Sequence, residues 1–547
     1  MKTSPPERIA HYRARGWWGD ATAWSLLEDA AAAAPAALAL LDPPDRNTLA
    51  GGDPQRLDWQ TVRARSLAVA GWLASQGLRR DDVVLLQLPN TVELVLALLG
   101  TSALGAIASP VPMQYGAHEL RSIAAVLRPR LFVAAERFRG ATPAIDPADT
   151  FDADLRCLRL GAERLAALAE AAEASPLPAD ADEIFTICWT SGTTGRPKGV
   201  PRSHNQWVAQ TLAVTGMGIT PGMRMLCPFP LVNMASLSGF FFPWLQRRGL
   251  LALHHPLDLP VFLAQLEQER IEYTVAPPAL LNMLLKQPAL MSARDLSALR
   301  LVASGSAPLA PWMVRGFQEQ HGIEVVNVFG SNEGVSLVSS GADVADPDMR
   351  ATLFPRFGVE GLAWRNPVSA RIGTRLVDPG SGALVETPGE PAELQVRGPN
   401  VIDGYLDSPA DNRAAFGADG WFRSGDLFEI AAEDPRFYRF VGRCKDIIVR
   451  GGMKISPEEI DTLLAGHPML VEAAVAAWPD EVLGERICAV VVPRPGEQPT
   501  LGDVVDYLAG KGLSRMKLPE KIVLTDALPR NPLGKLLRHA LSDIAAR

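Results

Sequence analysis

The chain is poor in cysteine. Its five, Cys157, Cys188, Cys227, Cys444 and Cys488, are odd in number and scattered over 547 residues. They have neither the density of a disulfide framework nor the paired spacing of a zinc site, so a reducing, cytoplasmic setting is expected. Positive charge is not in excess either: the net charge is -8 and the pI about 5.6. A nucleic-acid or anionic-membrane surface would need a clustered cationic face, and neither partner is expected. Met1 to Asp20 is polar and charged, without the apolar core of a secretory peptide. Leu94–Gly116 and Met225–Gln246 carry no charge and are long enough to raise a membrane-spanning reading. Gly and Pro break both, so each reads as a buried helix followed by a buried strand.

What is present is an ordinary globular composition, 47% hydrophobic and 21% charged, in a chain several times longer than a typical domain. From Trp59 to about Gly330, helical stretches alternate with short apolar runs such as Val83–Leu88, Leu131–Ala134, Tyr273–Ala276 and Leu301–Ala303. That alternation implies βαβ units and parallel sheet. A helix Trp59–Gln76 ends at Gly77, and Thr91 is placed to cap the next helix. Between about residues 340 and 440 the texture becomes strand-like, with Ala370–Val377 and Ala392–Val396 joined by the Asp378–Gly382 turn. After Gly442 come a strand Ile447–Arg450, a Gly-Gly turn and a helix start in which Ser456 caps, Pro457 takes the first position and Glu459 closes a capping box. The Ala-rich runs at Ala31–Ala34 and Ala166–Ala174 read as plain helix.

The strongest chemical signal follows the apolar run Ile184–Trp189: Thr190-Ser191-Gly192-Thr193-Thr194-Gly195-Arg196-Pro197-Lys198-Gly199. Glycines let backbone amides approach an anion, and the hydroxyls and Lys198 add donors, so the segment reads as a polyphosphate cradle. It is not a Walker loop, which would end Gly-Lys-Ser/Thr. The bland reading, a surface loop, does not explain so many donors directly after a buried strand.

This decapeptide resembles the signature of the adenylate-forming superfamily of acyl-CoA synthetases, peptide-synthetase adenylation domains and luciferases. Five further segments match in the family's order. Ala303-Ser304-Gly305-Ser306-Ala307-Pro308 is similar to the adenine-flanking turn, and Val328-Phe329-Gly330-Ser331-Asn332-Glu333 to the aromatic-Gly-x-Thr-Glu motif. Gly420–Asp426 is similar to the ribose-binding segment, Gly442–Asp446 to the hinge and Pro529–Lys535 to the terminal lysine loop. The similarity runs from about Trp59 to Arg538. Tyr12–Trp18 also resembles the start of stand-alone ligases for aryl and alicyclic acids.

The resemblance implies an α/β fold: a large N-terminal domain of two doubly wound sheets plus a β-rich subdomain, with a small mobile α+β C-terminal domain. The boundaries expected are 1–443 and 444–547, hinged at Lys445. It implies an enzyme that uses ATP and Mg²⁺ to convert a carboxylic acid to an acyl-AMP, then passes the acyl group to coenzyme A. The alternative acceptor is a carrier protein, as in 2,3-dihydroxybenzoate-activating enzymes, and a monomer or homodimer is expected. A catalytically silent nucleotide-binding module is disfavoured by the presence of Lys535, Glu333 and Asp426 together.

Carried over residue by residue, Lys535 and Glu333 are the catalytic candidates, Glu333 as the Mg²⁺ ligand. ATP or AMP is expected at Thr190, Ser191, Gly192, Thr193, Thr194, Lys198, Gly305, Ser306, Ala307, Asn327, Val328, Phe329, Gly330, Ser331, Asn332, Asp426 and Arg443. The acyl group is expected at Asn233, Met234, Ser304, Gly305, Ser331 and Val335, and coenzyme A at Arg450, Gly451 and Gly452. Three residues depart from the family pattern. Asn332 stands where Thr is common, so an amide replaces the hydroxyl expected near the α-phosphate. Asn233 replaces the His or aromatic residue at the acyl-pocket mouth, and Leu533 the Ser before Gly534-Lys535. The acyl lining is mostly neutral and has no cation for a second carboxylate, which implies a compact aromatic, alicyclic or medium-chain monocarboxylic acid.

Overall fold

The computed structural model describes residues 1–140, 151, 155–168, 175–177, 179–191, 197–417, 419–450, 453–480, 482–531 and 536–546. The apolar runs Val83–Gln87, Ile107–Pro110, Leu131–Ala135 and Ile184–Ser191 are strands of one six-stranded sheet, parallel to one another and closed at one edge by antiparallel Pro197–Ser203. A second, eight-stranded sheet stacks Glu324–Gly330, Leu301–Gly305, Tyr273–Val275, Arg224–Cys227, Leu250–Leu253 and Leu38–Leu41 in parallel, with antiparallel Ser336–Ser339 and Arg56–Asp58 at its edges. Helices between the strands bury their apolar faces on both sheets, as expected from alternating βαβ units.

The five-stranded sheet between Leu353 and Arg443 is antiparallel throughout, which agrees with the strand-like texture read there. Its Asp378 turn forms because the Asp378 carboxylate accepts the N–H groups of Gly380 and Ser381. Past Lys445 a separate five-stranded sheet carries its own apolar core, around Ile448, Ile455, Ile460, Val475, Val491 and Leu508.

Three local expectations need correction. Val92–Ala103 is a wholly buried helix followed by the strand Ile107–Pro110, as read. Met225–Gln246 runs in the opposite order, with a strand ending at Cys227 before the helical stretch Met234–Arg247. Both orders give the same uncharged run, because both elements are buried on all sides. Thr91 makes no capping bond; the first amide, that of Val92, is instead held by the carboxylate of Asp42 at 2.9 Å. Asp42 and Glu93 share the buried Arg46, and burial raises the Asp42 carboxyl to about 6. Ser456 does cap its helix, but the Glu459 carboxylate turns to Lys517 at 2.7 Å rather than closing a box.

The helix Met234–Arg247 contains a π-helical turn, Leu237–Phe241. Pro243 lacks an N–H and would crowd the carbonyl four residues earlier, and widening the preceding turn accommodates it. The N-terminal helix Pro6–Ala14 leads to Trp18, which is buried and donates to the Pro399 carbonyl at 3.0 Å. Arg8 pairs with Asp403 at 2.7 Å, so this helix is fastened to the segment 399–403. Among the described residues no helix is long and apolar enough to cross a membrane.

Candidate active site

Two antiparallel strands, Ile184–Ser191 and Pro197–Ser203, flank the centre of the donor-rich segment. Thr190 faces Lys198 and Ser191 faces Pro197 across them. Gly192, Thr193 and Thr194 lie outside the described residues. Lys198 reaches away along the return strand: its ammonium pairs with Asp411 at 2.7 Å and lies 5.0 Å from the centre of the Tyr405 ring.

Tyr405 joins this lysine to Glu333. The phenol donates to Glu333 Oε1 at 2.9 Å, and both residues are buried. Burial first, and the Glu333 charge second, hold the phenol pKa well above its usual value, so Tyr405 stays a donor. The backbone around Glu333 is knitted to segment 400–402: Ile402 N–H donates to the Glu333 carbonyl at 3.0 Å, and Asn400 Nδ2 to the Gly334 carbonyl at 2.7 Å. Gly334 is required there, since a Cβ would stand 2.1 Å from the Asn400 carbonyl and φ is +110°.

Beneath this turn lies Arg202, fully buried in the strand Pro197–Ser203. It donates to the carbonyls of Asn332 at 2.9 Å, Asn400 at 2.8 Å and Gln206 at 3.2 Å, and its guanidinium lies 4.3 Å from the Trp207 ring. Burial lowers its pKa, and the three carbonyl dipoles and the ring face offset that cost. Neither Arg202, Tyr405 nor Asp411 was singled out from the sequence. Neither Arg202 nor Tyr405 carried a local signal, because the strand Pro197–Ser203 also holds Lys198 and Ser203 and the partners of both residues are remote in the chain.

The strand Glu324–Gly330 connects this cluster to the expected nucleotide positions. Gly305 pairs with Val328, and a Cβ at Gly305 would meet the Val328 carbonyl at 2.1 Å. Ser306 follows with a left-handed φ of +69°, and it and Ala307 are exposed at the strand end. Phe329 packs against Phe428 at 4.9 Å and Phe440 at 5.6 Å, which brings the β-rich sheet to the same place. Asp426 and Arg443 face each other on that sheet as an ion pair of 3.3 Å.

Several expected contacts are engaged within the protein. Asn327 donates its amide to the Ala351 carbonyl at 2.8 Å, and the Ser304 hydroxyl to the Ala276 carbonyl at 2.8 Å. Both amide ends of Asn332 are bonded, to Met234 and Trp189. Met234 and Val335 are buried, Gly330 is exposed, and the Ser331 Oγ is buried without a hydrogen-bond partner. Arg450 forms a double ion pair with Glu520 at 2.8 and 3.1 Å. Lys445 is exposed on the turn 444–446 that links the two sheets. Gly451, Gly452 and Lys535 lie outside the described residues.

The chain belongs to the AMP-binding enzyme family, whose model matches residues 27–406, with the family's C-terminal domain matching residues 459–535. It is 33% identical over 564 aligned residues to the medium-chain fatty-acid–CoA ligase of Escherichia coli (strain K12), covering 99% of this chain and 94% of that protein. It is 29% identical to the 2-hydroxy-7-methoxy-5-methyl-1-naphthoate–CoA ligase of Streptomyces carzinostaticus, covering 99% and 96%. Among solved structures, ATP-bound MatB from Rhodopseudomonas palustris superposes with a TM-score of 0.79 at 26% identity, covering 96% of this chain and 99% of that one.

Proposed function

We propose that this protein is an AMP-forming acid–CoA ligase acting on a compact aromatic, alicyclic or medium-chain monocarboxylic acid. The observation that carries the reading is the convergence, at one end of the strand Glu324–Gly330, of the donor-rich hairpin, the Tyr405-bound Glu333 and the Asp426–Arg443 pair. In the first half-reaction a carboxylate oxygen attacks the α-phosphorus of ATP and pyrophosphate leaves. In the second, the sulfur of coenzyme A attacks the acyl carbonyl, AMP leaves and the thiol proton is lost. The names of both relatives above, each a CoA ligase, support that acceptor.

The residues divide the work as follows. Thr190, Ser191, Gly192, Thr193 and Thr194 bind the phosphates. Phe329 offers an aromatic face to adenine, beside Gly305, Ser306 and Ala307. Asp426 accepts from both ribose hydroxyls, with Arg443 holding its carboxylate in place. Glu333 is suited to Mg²⁺: among the described residues no three His, Cys, Asp or Glu side chains gather as a metal cage. A single carboxylate plus substrate phosphate oxygens is the usual way a protein holds this ion. Tyr405 keeps that carboxylate oriented, and the bound ion would neutralise phosphate charge. Lys535 supplies a cation as the two anions approach. The boundary at residues 443 and 444, and rotation of the smaller domain about Lys445 to present Arg450, Gly451 and Gly452 to coenzyme A, complete the reading.

The test is a panel of acids with ATP, with and without coenzyme A, read by pyrophosphate release and by free thioester. Pyrophosphate release with thioester formation is expected for a monocarboxylic acid of the stated kind. Preference for a dicarboxylate or an α-amino acid would refute the substrate class, and acyl-AMP without free thioester would point to a carrier protein. Within the same assay, Asp426→Ala is expected to weaken ATP use by about 1.5–3 kcal/mol, the loss typical of hydrogen bonds to a charged acceptor. An unchanged KM for ATP together with an unchanged kcat would remove Asp426 from the ribose site.

A further inference from the structure

Asn332 is the site residue whose bonds depart furthest from its expected role. Its side chain spans two segments that are distant in sequence. Oδ1 accepts the backbone N–H of Met234 at 2.8 Å, and Nδ2 donates to the carbonyl of Trp189 at 3.3 Å. Its own carbonyl is held by Arg202 at 2.9 Å, which fixes the backbone from which the side chain projects. The amide thus reaches the start of the helical stretch that follows the Pro228–Asn233 loop, and the strand that leads into the donor-rich hairpin.

The bond to Met234 fills a need that the local sequence leaves open. Met234 opens its helix, so its N–H has no partner within that helix, and the preceding Asn233 makes no side-chain cap bond. Asn332 therefore acts as the cap from another segment. A threonine would have to make both bonds from one hydroxyl oxygen on a shorter side chain, whereas the amide makes them from two separate atoms. The exchange of Thr for Asn is thus a change of task rather than a weaker phosphate contact.

We propose that Asn332 is a positioning residue that locks the acyl-binding loop to the phosphate-binding hairpin, so that it governs use of the acid rather than of ATP. This rests on the acid-activating reading of the site. With the lock in place, Asn233 and Met234 keep a fixed distance from the strand carrying Thr190, and the bound carboxylate is held at one distance from the α-phosphate.

The experiment uses the full chain with Asn332→Thr, Asn332→Ala and Asn332→Asp. Steady-state pyrophosphate exchange is measured with the best acid of the panel, and backbone amide exchange is followed across residues 228–240. For the Thr and Ala variants, KM for the acid is expected to rise roughly tenfold, the effect of losing about one hydrogen bond, with KM for ATP within about twofold of wild type. The Met234 amide should exchange faster in both. It should stay protected in Asn332→Asp, which keeps the acceptor. A raised KM for ATP with an unchanged KM for the acid would overturn the proposal and return Asn332 to the phosphate. Unchanged Met234 exchange in the Thr and Ala variants would also overturn it. If wild type activates no acid, the proposed function fails, while amide exchange still decides the lock. Should Asn332→Ala not fold, Asn332→Ser carries the same measurements.

Discussion

Lys535→Ala is expected to lower acyl-AMP formation from acid and ATP by at least about a hundredfold, the usual effect of removing a group aimed at charge developing in a transition state. The same variant, given synthetic acyl-AMP and coenzyme A, is expected to form thioester at nearly the wild-type rate. Two anions, the carboxylate and the α-phosphate, must meet only in the first half-reaction, and there a cation lowers the barrier. In the second, a thiol attacks an acyl-AMP and no such repulsion is faced. If the smaller domain withdraws the lysine loop between the steps, the loss falls on one of them alone. Equal impairment of both half-reactions would contradict alternation of the domain, and impairment of neither would make Lys535 a solvated residue of the C-terminal region.

Arg202→Met is expected to destabilise the folded protein by about 3–5 kcal/mol and to abolish activity with it. Arg202 closes off three buried carbonyls, at Asn332, Gln206 and Asn400, that belong to three separate parts of the chain. Methionine fills much of the same volume over Trp207 but takes the donor from the Asn332 and Asn400 carbonyls, while the Gln206 carbonyl keeps its place in the helix His204–Thr215; the costs fall on one cluster, so they do not simply add. Arg202→Lys should recover only part of the loss, since a single ammonium lacks the planar fork that spans the acceptors. Denaturant midpoints for the two variants measure this. A midpoint for Arg202→Met equal to wild type would show that Arg202 does not hold the Glu333 turn in place.

The segments that pointed to an adenylate-forming enzyme were legible because each carries its chemistry in adjacent residues. A run of glycines and hydroxyls, or an aromatic-Gly-x-x-Glu string, has its meaning within ten residues. Parallel sheet was legible for a similar reason: strands buried on both faces are apolar over most of their length, and Val83–Leu86 and Leu131–Ala135 are. The same rule concealed the order of elements in Met225–Gln246, where a buried strand and a buried helix carry one uninterrupted apolar text. Capping at Thr91 was misread because the amide's partner, Asp42, comes from 50 residues away.

Taken alone, the sequence determined the family, the α/β architecture with a β-rich insertion and a separate C-terminal domain, and the positions from which acid, nucleotide and thiol chemistry is proposed. Composition, burial periodicity and short motifs are properties of neighbouring residues, so a linear text can hold them. Tertiary structure alone decided how those positions are held. Tyr405 against Glu333, Arg202 beneath three carbonyls, and Asn332 between Met234 and Trp189 are contacts across 72, up to 198, and 98 and 143 residues. Each is a hydrogen bond whose partner is chosen by packing, and buried polar groups must find such partners wherever the fold brings them. No local pattern encodes that choice, because it exists only once the two sheets and the β-rich layer have met.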